Sequence, residues 1–286
     1  MDKNLLEAQR RKIILVKFLI VISGFIVVLA VLCTVGMFAA LVTFVIVCII
    51  FSKYSKSAKK AINAAAQEQL IPQILGEKFN VNSFEAENHI KKFEISCSGI
   101  FKEIHSVEGS ALLDASLGTI HFIRSGLYID SKSEDTYFDH EQAMERTEVN
   151  YTPVFKGYVM RTEHRCPQFA GVNASDDNMS DIRQKGEKAA SENKFSVYCG
   201  DNLASLPQEV INGMMNVRKA VDSPMAMVFT DKYFYVFVSG KDNYFTISNL
   251  LSINANSEAM RKQAEETARL AETFRFLDYE SDFLTV

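Results

Sequence analysis

No charged side chain occurs between Phe18 and Phe51, a run of 34 residues. That absence excludes an ordinary soluble chain and points to an integral membrane protein carrying a large polar domain. Tryptophan is absent too, but 21 phenylalanines and 10 tyrosines remain. The polar part therefore has enough large apolar side chains to bury a core, which argues against disorder. Cysteine is sparse. Cys97, Cys166 and Cys199 lie outside the apolar run, odd in number, widely spaced and without a CxxC pair. This excludes a disulfide framework and fits reduced thiols in a cytosolic compartment. Residues 1–53 hold six of the 31 Lys+Arg and two of the 35 Asp+Glu, leaving a net charge of −8 on residues 54–286. Nucleic-acid binding rests on neutralising phosphates, so no nucleic-acid partner is expected.

The length of the apolar run decides how it folds. As one helix it would extend roughly 50 Å at 1.5 Å per residue, well beyond a hydrocarbon core of about 30 Å. Extended back to Ile13, with Lys17 snorkelling near its end, the run becomes 39 residues. Two transmembrane helices within 13–52 then fit, with the turn near Cys33-Thr34-Val35-Gly36, where glycine tolerates a positive φ. One long tilted helix is the rival reading. Arg10, Arg11, Lys12 and Lys17 precede the run, and Lys53, Lys56, Lys59 and Lys60 follow it. Basic residues at both ends place both termini on the cytoplasmic side of the cell inner membrane. Lys53, Lys56, Lys59 and Lys60 read either as a topology determinant or as a contact with lipid headgroups at the membrane surface. A cleaved signal peptide is disfavoured because the run simply continues. A lipoprotein signal is disfavoured because Leu32 precedes Cys33. Cys33 and Cys48 read as small apolar residues.

The chain thus divides into a basic N-terminus (1–12), the hairpin (13–52), a juxtamembrane helix (53–76) and a cytoplasmic α+β domain (77–286). Pro72 is expected to kink or end the juxtamembrane helix. Within the domain, Phe93–Cys97, Thr119–Ile123, Gly126–Ile129 and Val154–Met160 read as strands, and Gly157 as a bulge or a close backbone approach. Residues 131–148 are polar and acidic. Residues 171–194 have almost no large apolar side chain and read as a mobile, protease-sensitive loop. Phe195–Cys199 reads as a short strand. Ser205 and Gln208 resemble a capping box before a helix with Val210, Met214, Val217 and Val221 on one stripe and Ile211 and Met215 beside it. Met225–Thr230 and Tyr233–Ser239 predict a hairpin joined by Asp231-Lys232. Tyr244–Ser248 predicts a third strand after the turn at 240–243. The chain then ends in a helix capped by Ser257. Met260, Ala264, Thr267, Ala271 and Phe274 form its stripe, and Arg261–Glu265 and Glu265–Arg269 its exposed pairs. The fold class is a membrane helical hairpin plus an α+β cytoplasmic domain, with an antiparallel sheet, packed helices and a C-terminal helix.

Chemistry is hard to place in this pattern. The chain lacks GxxxxGK(S/T), GxGxxG after a strand, GxSxG and HExxH, the signatures of phosphate-loop, dinucleotide, nucleophile-elbow and zinc-protease sites. His140-Glu141, within the acidic run 135–145, is the densest set of potential ligands, but it reads as a solvated loop. His164 and Cys166 would share a face if they lay on a strand, although Pro167 makes a loop equally compatible. Cys199 beside Gly200-Asp201 is either a reactive thiol or a small buried residue. Phe155, Gly157, Phe195, Val197 and Asp201 read as core, bulge and turn residues, or as the rim of a binding groove. One set of alternating aromatics after Phe229 faces a core. The other, Tyr233, Tyr235 and Phe237, is expected to form an exposed patch that binds a partner. No catalytic, cofactor or metal residue is assigned.

Two stretches carry a resemblance. Pro153-Val154-Phe155-Lys156-Gly157-Tyr158-Val159, and Phe195-Ser196-Val197-Tyr198-Cys199-Gly200-Asp201 followed by a helix and the 229–245 meander, resemble a bacterial family of membrane-anchored, DUF3137-like proteins. The layout of a short basic N-terminus, paired membrane helices and an α+β domain is similar as well. The likeness excludes 171–194 and brings no catalytic residues. It implies companionship with LemA-type membrane proteins. The leading reading is a non-catalytic membrane component whose domain binds a protein partner, a LemA-like protein or a second copy. The alternatives are a ligand-sensing or enzymatic domain with a pocket near 195–245, and a lipid-contacting, membrane-remodelling protein.

Overall fold

The computed structural model describes residues 3–139, 144–179, 181–201, 203, 205–240, 245 and 253–278. In chain order the elements are α1 (Lys3–Thr34), α2 (Met37–Gly76), β1 (Asn80–Glu85), α3 (Lys92–Cys97), β2 (Ser106–Leu117), β3 (Ile120–Asp139), β4 (Met144–Glu163), β5 (Asn173–Asp176), β6 (Lys188–Glu192), β7 (Phe195–Tyr198), α4 (Gln208–Lys219), β8 (Met225–Phe229), β9 (Tyr233–Ser239) and α5 (Ile253–Glu272). A 3-10 segment, Thr273–Asp278, follows α5. The chain forms two compact units, residues 1–74 with 246–260, and residues 75–245 with 261–286.

In the first unit the apolar run folds as two helices. Gly36 takes φ +110°, a conformation that glycine adopts without steric cost. The N–H groups of Val35 and Gly36 both donate to the Val31 carbonyl (2.9 and 3.2 Å), closing the end of α1 inside the expected window. The helices return along one another. A Cβ on Gly24 would fall 2.4 Å from Val47 Cγ1, so a larger residue would force the Val47 side chain to move. The buried or half-buried positions of α1 include Ile13, Lys17, Ile20, Gly24, Val28 and Val31, and those of α2 include Ala40, Thr43, Val47, Phe51, Tyr54 and Ala58. Their spacing of three or four residues marks one helix–helix seam. Pro72 does not end α2, which runs on to Gly76. Glu7 Oε2 accepts the Ile253 N–H (2.9 Å), capping α5, so the cap is not Ser257. Ser257 lies inside the helix and donates to the Ile253 carbonyl (2.8 Å).

The second unit is built on one antiparallel sheet of order β1-β2-β3-β4-β9-β8-β5-β7-β6. Gly118, at φ +60°, turns β2 into β3, and Thr230 N–H to the Tyr233 carbonyl (2.8 Å) closes the expected Asp231-Lys232 hairpin. Gly157 is a close backbone approach: a Cβ there would meet the Val238 carbonyl oxygen at 2.0 Å. One sheet face carries Phe122, Arg124, Tyr158, Met160, Phe234, Val236 and Phe229, alternating with a second face carrying Leu127, Ile129, Val159, Tyr235 and Phe237. Phe274 and Phe276 cover the first face, their rings 5.7 Å from that of Phe234. Ile90, Ile95, Ile100, Phe101 and Ile182 pack against the second. The stripe of Ala264, Thr267, Ala271 and Phe274 is buried, as are Val210, Ile211, Met214, Met215 and Val217 of α4.

Several sequence expectations are corrected. Phe93–Cys97 belongs to α3, not to a strand. Glu94 Oε2 accepts the Lys91 N–H (3.0 Å), and period two over five residues cannot be told from a turn and a half of helix. The two short runs at 119–129 are one strand, β3, with Gly126 inside it. The polar stretch 131–148, whose part 135–145 is expected to be a solvated loop, is strand where it is described. Apart from the undescribed residues 140–143, it continues β3 and β4 as a two-stranded ribbon from Ser131↔Thr152 to Asp139↔Met144. The stretch 171–194 contains β5, buried between β8 and β7, and the edge strand β6. Asn173 and Asp176 enter the core with hydrogen bonds: the Asn173 amide donates to the Gly171 carbonyl (3.0 Å), and Asp176 accepts the Met225 N–H (2.8 Å) and a bond from Arg218 (3.0 Å). Ser205 does not cap α4, whose N-cap is Pro207. Arg261 pairs with Glu77 (3.0 Å) instead of Glu265. Of the expected strand Tyr244–Ser248 only Phe245 is described, and it is buried.

Gly157→Ala is expected to destabilise the sheet by about 1–3 kcal/mol, because β9 would have to move to admit the methyl group. Urea unfolding of the full-length protein in detergent, followed by far-UV circular dichroism, measures this as a lower midpoint. An unchanged midpoint contradicts the β4–β9 register.

Candidate functional site

The outside of the hairpin is an extended apolar surface. Away from the seam, apolar side chains are exposed, with Phe18 and Phe25 each at 64% and Phe38 at 83%. Only 6% of the most apolar window in each helix is buried, whereas a core helix of a soluble protein would be largely buried. Both helices are long and apolar enough to cross a membrane. Thr34 and Thr43 hydroxyls donate to the Ala30 and Ala39 carbonyls (2.8 Å each), leaving no hydroxyl donor unused on these turns. Of the lysines expected at the membrane surface, Lys53 and Lys56 are exposed on α2. The side chains of Lys59 and Lys60 lie outside the described residues.

The expected aromatic patch is absent. Tyr235 and Phe237 are 2% and 0% exposed, and only Tyr233 is half-buried. Their alternation is real, but the second face of the sheet is covered, so both sets of aromatics face a core. Phe237 packs edge-on against Phe101 (5.1 Å) and Phe155 (5.7 Å). At the margin of this layer Arg161 forms an ion pair with Glu94 of α3 and lies 4.7 Å over the Tyr233 ring. Burial raises the Tyr235 phenol above its ordinary value of 10.0, so it stays neutral at physiological pH. On the first face, fully buried Arg124 lies 4.2 Å over the Tyr158 ring and 4.9 Å over that of Phe245, and Tyr158 donates to Glu266 (3.1 Å). Sequence reasoning missed Arg124, Arg161 and Asp176. A charged residue inside the apolar run Ile120–Ile129 was the available signal for Arg124.

His164 and Cys166 meet through a backbone hydrogen bond. The Cys166 N–H donates to His164 Nδ1 (3.1 Å), and His164 Nε2 donates to the Thr230 carbonyl (2.9 Å). A carbonyl can only accept, so this arrangement holds the neutral tautomer with both ring nitrogens engaged. Burial pushes the Cys166 thiol up, away from the reactive thiolate. Cys199 is buried, as a small core residue would be. Asp201 is exposed beside it. His140 and Glu141 lie outside the described residues. Among the described residues no group of three or more His, Cys, Asp or Glu is placed to hold a metal.

Two cavities bear on the ligand reading. One, of about 220 Å³, lies by α4 and is lined by Glu192, Asn193, Phe195, Met215, Arg218 and Lys219. Its cations are engaged, Arg218 with Asp176 (3.0 Å) and Lys219 with Glu192 (3.6 Å). The other, of about 230 Å³, includes His121, Thr162, Glu163 and His164. There His121 meets Asp114 (2.9 Å) and Glu163 meets Lys232 (3.1 Å). In both cavities these charged side chains are held in ion pairs with protein partners.

His164 provides a pH test. Burial holds its pKa below the ordinary 6.5, against the opposing effect of the Thr230 carbonyl. The unfolded chain therefore binds more protons as pH falls below 6.5, and stability present above that pH is lost towards the lower folded value. Full-length protein should show a lower chemical-denaturation midpoint at pH 5.5 than at pH 7.5, and His164→Gln should flatten that difference.

Comparison of the chain with protein-family models, with curated proteins and with solved structures finds no match.

Proposed function

We propose that the protein is a multi-pass inner-membrane component. Its helical hairpin is the bilayer anchor, and its α+β domain is a cytoplasmic, non-catalytic binding module in a membrane-associated assembly. The observation that carries this reading is the belt of exposed apolar side chains around two helices that meet each other through the Gly24–Val47 seam. In water such a belt would be a severe aggregation liability; in lipid it is the ordinary surface. From the turn at Val35-Gly36 to Lys17 and Lys53 each helix spans about 27 Å at 1.5 Å per residue, close to one hydrocarbon thickness. The cations on both limbs favour the cytoplasmic side for both termini. The non-catalytic part rests on polar groups that are tied into structural pairs within the sheet. By resemblance, a LemA-type membrane protein is the partner class, with a second copy as the other candidate.

In intact cells carrying Cys33→Ser and Val35→Cys, a membrane-impermeant maleimide should label the thiol introduced at the external turn. Native Cys97, exposed on the domain, should react only after permeabilisation. The protein should also resist alkaline carbonate extraction. Labelling of Cys97 in intact cells, or release by carbonate, overturns the anchor or its orientation.

A further inference from the structure

The hairpin register brings cations from distant parts of the sequence into one band about 10 Å deep. Gly24 and Val47 touch, and each lies about 17 Å of helix from the turn. Counting outward from that contact by equal numbers of residues places Lys17 level with Tyr54. Lys12 lies about a turn and a half further along α1, at the depth where α2 has passed Lys56. The apolar belt ends on both helices at this depth. Arg11, Lys12, Lys53 and Lys56 are exposed there, and Lys17 is half-buried at the seam. Among the described residues, Lys12, Lys17, Lys53 and Lys56 form no ion pair, whereas Glu7 is already engaged by Arg10 (2.8 Å) and Arg11 (3.3 Å). The band therefore keeps an excess of positive charge.

We propose that this band is a recognition surface for the phosphates of anionic phospholipids, seated where the apolar belt meets the headgroups. The proposal rests on the hairpin being the bilayer anchor and adds selectivity to it. Three features argue for lipid as the occupant. The band is continuous with the apolar belt, so a lipid whose tails lie along Phe18 or Ile50 presents its phosphate at this height. Lysine and arginine donors on both helices can share one phosphate from two sides. The domain that follows is acidic, with a net charge of −8 beyond residue 53, so attraction to an anionic surface has to come from this band.

The test uses the full-length protein in mixed micelles of equimolar phosphatidylglycerol and phosphatidylcholine, with retained lipids counted by native mass spectrometry. Phosphatidylglycerol should be retained several-fold above its input share, and the preference should collapse in high salt. Lys12→Gln with Lys53→Gln and Lys56→Gln should lower it by about fivefold or more, given the usual contribution of each cation at a charged surface. These side chains are exposed, so circular dichroism should not change. Lys102→Gln with Lys185→Gln, on the domain, should leave the preference intact. Retention matching the input ratio, or a preference unaffected by the hairpin variant, overturns the proposal while leaving the anchor standing. Failure to incorporate into bilayers of either lipid overturns the anchor reading and the lipid proposal together.

Discussion

Closure of the central strands on both faces is the constraint on which the domain depends. β4, β9 and β8 sit in the middle of a nine-stranded sheet, with Phe234, Val236 and Phe229 on one side and Tyr235, Phe237 and Val228 on the other, all buried. An antiparallel sheet with one wet face shows polar residues at every second position. These strands do not, because Phe274 and Phe276 cover one face and Ile95, Ile100, Phe101 and Ile182 cover the other. The close approach at Gly157 follows from the same crowding. A side chain there would have to occupy the space of the β9 backbone.

A sheet closed on both sides has to account for each polar group it encloses. Asp176 does so by accepting from the Met225 backbone and from Arg218, tying β5 to β8 and to α4. Arg161 reaches Glu94 and so fixes α3 to the margin of the second face. Arg124 lies against the rings of Tyr158 and Phe245, where a desolvated cation–π contact is worth up to about 2 kcal/mol or more. These groups resemble a reactive site in being charged and buried. Their partners show why they read as architecture: each charge meets a ring, a backbone group or an opposite charge.

The hairpin obeys a different rule. Its helices bury only the seam between them and leave the rest apolar and exposed, the inverse of the domain's surface. Small side chains at the seam, Gly24 and Ala40 above all, let the backbones approach. The same seam sets the register that gathers Lys12, Lys17, Lys53 and Lys56 at one end.

The hairpin, its turn near 33–36, the β8–β9 pair and the stripes of α4 and α5 were legible because each is local: a run length, a glycine, a two-residue loop or a helical period settles it. β2 went unseen because Ser106–Leu117 mixes small, polar and apolar residues, and β5 because four small or polar residues carry no apolar signal. Both are strands through their neighbours' hydrogen bonds. Charge likewise made 135–145 read as a solvated loop, although cross-strand pairing extends its described part as ribbon. The aromatic patch failed for a related reason. Alternation tells which residues share a face, not what lies over that face. The sequence by itself determined that two apolar helices come first, that an α+β antiparallel domain follows, and where positive charge collects along the chain. Only the tertiary structure decided that both faces of the sheet are closed, that His164 Nδ1 takes the backbone N–H of Cys166, and that cations some forty residues apart share one band. Burial and proximity depend on contacts between segments distant in sequence, which local periodicity does not encode.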